Sequence, residues 1–207
     1  MKHNKTFALI LAGMTVGLTS QAGTVLPANI TNNFAPTYTT ADGLLTMEAF
    51  SDSASTVPLN LGKGGNYIGV GNASALSGTD TMQLQFAPGV GLTGFGTVWT
   101  RAVITVSGFV SDPGLNVGSD PNVISKSYSS GIMTLDLNWD GGTIYDFTLS
   151  NPDASAGQLL TISLDYATSP QVAFSELDYG PVPEPSVAAL GLLGGLAAFA
   201  SARRFRR

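Results

Sequence analysis

The sequence contains no cysteine, and its one histidine, His3, stands at the extreme N-terminus. The missing cysteine excludes a disulfide framework. Within residues 23–182 the two absences together exclude a Cys nucleophile, a Ser-His-Asp triad and a zinc site built on His or Cys. Charge is also scarce, since only 11% of residues are Asp, Glu, Lys or Arg. Between residues 23 and 182 there are three basic residues, Lys63, Arg101 and Lys126, against thirteen acidic ones, a net of −10. A segment with that balance repels polyanions, so nucleic acid is not an expected partner. No stretch between residues 24 and 182 carries the 3.6-residue apolar spacing of an amphipathic helix.

The chain does have apolar residues and turn formers. Hydrophobic residues make up 43% of 207, enough for the core of one domain. Gly (25) and Pro (11) are frequent, which suits many short strands joined by turns and predicts an all-β fold. Six of the nine Lys and Arg lie near the two ends: Lys2, Lys5, Arg203, Arg204, Arg206 and Arg207.

Residues 1–22 read as a secretory signal peptide. Lys2 and Lys5 begin it, Phe7–Leu18 is apolar, and Ser20 and Ala22 are small residues placed for cleavage before Gly23. At the other end, Val187–Ala202 carries no charge and is followed by the four arginines. This predicts a short transmembrane helix with the arginines on the cytoplasmic side. Before it, Pro183 and Pro185 hold the chain extended around Glu184, a residue too costly to bury in the bilayer.

The order Val182-Pro183-Glu184-Pro185, apolar helix, terminal arginine cluster resembles the sorting tail of PEP-CTERM proteins. The resemblance covers about residues 181–207. It implies that Pro183, Glu184 and Pro185 are recognised by an exosortase-type membrane protease and that the tail is cut near them. It also implies a Gram-negative host that makes extracellular polysaccharide, and an inner-membrane intermediate on the way to the outer surface or matrix. The chain then divides into a signal peptide (1–22), an ectodomain (23–180) and a sorting tail (181–207).

The ectodomain shows repeated period-2 alternation. Met82, Leu84 and Phe86 share one face of a strand whose other face carries Gln83 and Gln85. Further strands are expected at 98–106, 132–139, 143–149, 159–166 and 172–179, with weaker ones at 44–50 and 66–70. Asp140-Gly141-Gly142 is expected to join 132–139 to 143–149 as a hairpin. Residues 108–130, polar and rich in Gly and Pro, read as an extended loop or a strand pair with loops. The expected architecture is an antiparallel β-sandwich, jelly-roll-like, with an up-and-down barrel as the alternative.

Little in the ectodomain points to catalysis. Gly62-Lys63-Gly64-Gly65 lacks the spacing and the following Ser or Thr of a phosphate loop, and reads as a turn. Asp136 and Asp140 flank Trp139, with Asp146 expected across the hairpin, while Glu176 and Asp178 share one strand face. Such carboxylates most often form a solvated face, but they also suit calcium or glycoside hydrolysis. Glu48 meeting Glu176 or Asp178 is the specific calcium expectation, because terminal strands often pair in jelly rolls. Trp99 and Trp139 are candidate sugar-stacking residues, together with Tyr128, Tyr145, Tyr166 and Tyr179. The leading expectation is a structural or interaction protein and not an enzyme. A carbohydrate-binding module of the polysaccharide matrix comes second, and a glycan hydrolase is a distant third.

Overall fold

The computed structural model describes residues 22–30, 35–62, 67–71, 75–98, 102–118, 123–137, 145–150, 158–165 and 171–181. The elements in chain order are β1 (Gly23–Val25), α1 (Pro27–Ile30), β2 (Thr37–Thr39), β3 (Leu45–Phe50), β4 (Pro58–Leu59), β5 (Thr81–Phe86) and β6 (Val90–Val98). They continue with β7 (Ala102–Ser107), β8 (Leu115–Asn116), β9 (Val123–Ser129), β10 (Ile132–Leu137), β11 (Tyr145–Leu149), β12 (Leu159–Leu164) and β13 (Ala173–Pro181). The protein is mostly strand, as its composition and alternation lead one to expect. Among the described residues no helix is long and apolar enough to cross a membrane. The expected signal peptide and transmembrane helix both lie outside the described residues.

Every strand pair is antiparallel, and the strands form two sheets. One has the order β1-β13-β6-β11-β8; the other runs β2-β3-β5-β12-β7-β10-β9, with β4 beside β3. Alternation decides which side chains face inward. On β3, Leu45 and Met47 are buried while Thr46 and Glu48 point outward. On β10 and β12 the buried sets are Met133, Leu135, Leu137 and Leu160, Ile162, Leu164. Buried faces of both sheets contribute to one core cluster, with Met47, Leu84, Leu135 and Ile162 from one and Phe95, Phe147 and Leu177 from the other. Each such side chain stabilises the fold by about 1.5–3 kcal/mol through removal from water. Phe95 anchors the five-stranded sheet, with ring centroids 5.2 Å from Phe147 and 6.1 Å from Phe174.

The pairings are nested. β5 pairs with β12, β6 with β11, and β7 with β10. The chain therefore doubles back on itself like a long hairpin whose arms are shared between the two sheets. A separate tight hairpin joins β9 to β10 through Ser130-Gly131, between the opposed residues Ser129 and Ile132. Both turn residues have positive φ, 51° and 82°, the backbone sign that a type I′ hairpin turn requires.

Two expectations need correction. The strands over 132–137 and 145–149 are not a hairpin: β10 pairs with β7 and β9, whereas β11 pairs with β6 and β8 in the other sheet. Asp146 therefore does not face Asp136 across a strand pair. The Asp-Gly-Gly segment, outside the described residues, joins two sheets instead of two neighbouring strands. The second correction concerns β6, which the alternation did not predict. Gly91, Gly94 and Gly96 interrupt its pattern and read as turn residues. In the fold β6 is an inner strand between β13 and β11, and a Cβ on Gly94 would stand 2.8 Å from the Phe147 carbonyl oxygen. Glycine there permits close packing of backbones.

Candidate functional site

Glu48 and the pair Glu176 and Asp178 are not brought together. β3 lies in the eight-stranded sheet and opposes β2 and β5 through Thr37 and Gln83 at Glu48. β13 lies in the five-stranded sheet, where Glu176 opposes Gly96 and Asp178 opposes Gly94. The terminal strand does pair with an early one, but that strand is β1, not β3. Glu176 and Asp178 do share the outer face of β13, as their spacing of two requires. Asp178 accepts a 2.6 Å hydrogen bond from Thr24 Oγ1 of β1. Thr37 Oγ1 donates to Glu48 Oε1 at 3.4 Å. Among the described residues no group of three or more His, Cys, Asp or Glu is placed to hold a metal.

Trp99 and Trp139 lie outside the described residues, as do Pro183, Glu184, Pro185, Arg203, Arg204, Arg206, Arg207 and Tyr166. Tyr179 is a core residue, only 5% exposed. Its hydroxyl donates to Asp42, so it is not a stacking platform. Burial pushes its pKa above the ordinary value, and its bond to Asp42 adds to the effect.

Asp42 itself organises the turn between β2 and β3. It accepts from Thr40 Oγ1 at 2.6 Å and from the Leu44 amide at 3.0 Å. Desolvation raises its pKa, but the bonds from Thr40, Leu44 and Tyr179 outweigh that and hold it below the usual carboxylate range. Asp52 is lowered as well, chiefly by the Thr56 hydroxyl and the Val57 amide. Both carboxylates are turn-builders whose oxygens are occupied by donors, all of them local except the Tyr179 hydroxyl on Asp42.

A cleft of about 230 Å³ opens between the edges of the two sheets. Its walls come from the segment leading into β8 (Asp112, Gly114, Leu115) and from β9 and β10 (Lys126, Ser127, Tyr128, Met133). Register explains the geometry. Lys126 and Tyr128 oppose Leu135 and Met133, both buried, so they stand on the core side of the edge strand β9. Lys126 then reaches across the opening, and its Nζ donates to the Leu115 carbonyl oxygen of the facing sheet. The opposite wall is fixed by local bonds. The Gly114 amide donates to Asp112 Oδ1 at 2.9 Å, and Ser150 donates to the Gly114 carbonyl through its amide (3.1 Å) and its hydroxyl (2.9 Å). β8 is only two residues long, so the five-stranded sheet stops short there and leaves the gap.

A second, smaller cavity of about 110 Å³ lies against the outer side of β3, lined by Pro36, Thr37, Glu48, Ala49, Phe50 and Pro58. It brings one carboxylate into an otherwise largely apolar hollow, too few oxygens for a calcium cage.

The sequence reading named Tyr128 but missed Asp112 and Lys126 as members of a site. The available signal was the rarity of Lys126 in an acidic domain. Among the described residues it is the one basic side chain. The chain matches no protein-family model, no curated protein and no solved structure.

Proposed function

We propose that this chain is an exported structural or interaction protein of the cell surface or extracellular matrix, delivered through its C-terminal tail. The observation that carries the reading is the order Pro183-Glu184-Pro185, uncharged segment, four arginines, combined with a signal peptide at the other end. The route is export, arrest in the inner membrane with the arginines inside, and cutting beside Glu184 by an exosortase-type protease. Two features of the fold are compatible with it. β13 is paired up to Pro181, two residues before the motif, and β1 starts at Gly23, directly after the expected signal cleavage. The ectodomain is then complete between the two cuts.

The finer architecture belongs to the same proposal. The nested pairs and the orders β5-β12-β7-β10 and β6-β11-β8 are those of a jelly-roll β-sandwich, with β9 lying beside β10 instead of closing the smaller sheet. Such a fold supports interaction roles without a catalytic centre.

Fractionation of the native host, with mass spectrometry of the mature C-terminus, tests the route. The expected result is a surface or matrix protein ending near Pro183-Glu184-Pro185. An exported, mature form that retains Arg207 overturns it. A second reading, carbohydrate binding, is favoured by the cleft between β8 and β9.

A further inference from the structure

We infer that the cleft between β8 and β9 binds a single neutral sugar residue of pyranose size through Asp112, Lys126 and Tyr128, above a floor of Met133 and Leu115. The inference gives the carbohydrate-binding reading a site and rests on that reading, not on the delivery route.

Size comes first. At roughly 30 Å³ of liquid volume per water, 230 Å³ corresponds to about eight waters. That leaves room for one six-membered ring with its hydroxyls inside the cleft.

The chemistry of the walls narrows the class. Asp112 supplies an acceptor and the Lys126 ammonium a donor to the same space. A sugar hydroxyl both donates and accepts, so a wall with both kinds of group matches it, and charged partners strengthen such bonds. The half-buried ring of Tyr128 and the edge of Leu115 offer apolar surface for the C–H face of the ring, with the buried Met133 beneath them.

Charge excludes the alternatives. Lys126 already donates to Leu115 O and shares the cleft with Asp112, so no net positive charge is left to hold an anion. One carboxylate facing an ammonium is no cation site. Among the described residues β9 pairs with β10 alone, and peptide addition to its other edge is opposed by Lys126, since a charged side chain in an edge strand blocks such pairing.

The test uses the full chain in a detergent without a sugar headgroup, labelled at the methionine methyls. Methyl α- and β-glycosides of glucose, mannose and galactose are the probes, with sodium glucuronate and sodium sulfate as charged comparators. The expected result is a saturable shift of the Met133 resonance with at least one glycoside, at a millimolar dissociation constant, while Met47 and Met82 in the core stay still. Asp112→Asn keeps an acceptor for the Gly114 amide but removes the charge. Asp112→Asn and Lys126→Ala should each weaken binding about tenfold, a change in affinity that one lost hydrogen bond to a charged group produces. Asp112→Asn should leave melting unchanged, whereas Lys126→Ala also loses the bond to the Leu115 carbonyl and should lower it slightly.

Silence at Met133 with every glycoside overturns the site. Tighter binding of glucuronate or sulfate than of any neutral glycoside overturns the ligand class. If the chain retains an immobilised polysaccharide while Met133 stays silent, carbohydrate binding stands and this location fails.

Discussion

The Tyr179 hydroxyl donates a 2.8 Å hydrogen bond to Asp42 Oδ2, which ties β13 of the five-stranded sheet to the turn that opens β3 in the other. Gly23 lies beneath the same ring; a Cβ there would stand 2.4 Å from the Tyr179 hydroxyl oxygen. Three segments distant in sequence thus meet at one corner: the start of β1, the end of β13 and the turn at residues 40–44.

Removing that bond should be measurable. Tyr179→Phe is expected to cost about 1 kcal/mol, the net worth of a hydrogen bond to a partly solvated charged acceptor. Urea unfolding would show it as a lower midpoint at unchanged slope. Gly23→Ala should cost more, because the methyl collides with the ring or drives the hydroxyl off Asp42. Since both changes disturb one contact, the double variant should lose less than the sum of the singles. Strict additivity would mean that Gly23 and Asp42 are not linked through Tyr179.

Acid should weaken the fold through its turn carboxylates. Asp42 and Asp52 have folded pKa values below their ordinary ones, so the unfolded chain binds their protons more readily. Their stabilisation is fully present above the ordinary aspartate value of about 3.9 and is lost as pH falls from there through the folded values. The melting temperature should be level near neutrality and decline on acidification. Thr56→Val, which removes a donor to Asp52, should make that decline shallower. At the alkaline end Tyr179, whose pKa is raised, contributes stability below about pH 10 that is lost as pH rises through its folded value.

Two glycines with positive φ should respond very differently to alanine. At Gly108 (φ +107°) a Cβ would stand 2.2 Å from the Leu159 carbonyl oxygen, a backbone atom that cannot swing aside. Gly108→Ala is expected to destabilise by about 3 kcal/mol or more, or to block folding. At Gly89 (φ +77°) a Cβ meets nothing within 4 Å, so Gly89→Ala should cost only backbone strain, about 1–2 kcal/mol. Similar losses at both positions would contradict the packing of Gly108 against β12.

Calcium should leave the melting temperature unchanged at millimolar concentration. Glu48 belongs to one sheet and Glu176 and Asp178 to the other, and oxygens so divided cannot enclose one ion. A rise with calcium that Glu176→Gln abolishes would show that the outer face of β13 recruits further ligands.

The sequence by itself determined the strand class and much of the inside-outside pattern. Alternation is local, so Met82-Leu84-Phe86 and Leu160-Ile162-Leu164 could be read as strand faces before any partner was known. It determined the chemistry that is ruled out as well, since a residue type that is missing cannot act. Only the tertiary structure decided partners. Asp140-Gly141-Gly142 has the composition of a hairpin turn, yet β10 and β11 found better-packed neighbours in different sheets, and turn chemistry does not specify which strand comes alongside. β6 was hidden for a related reason: glycines that read as turns became close-packed strand positions between β13 and β11. The cleft was out of reach altogether. Asp112, in the segment leading into β8, and Lys126, on β9 of the other sheet, lie fourteen positions apart. They face one space because β8 stops after two residues, and where an edge ends is settled by how two sheets pack, not by any pattern within one strand.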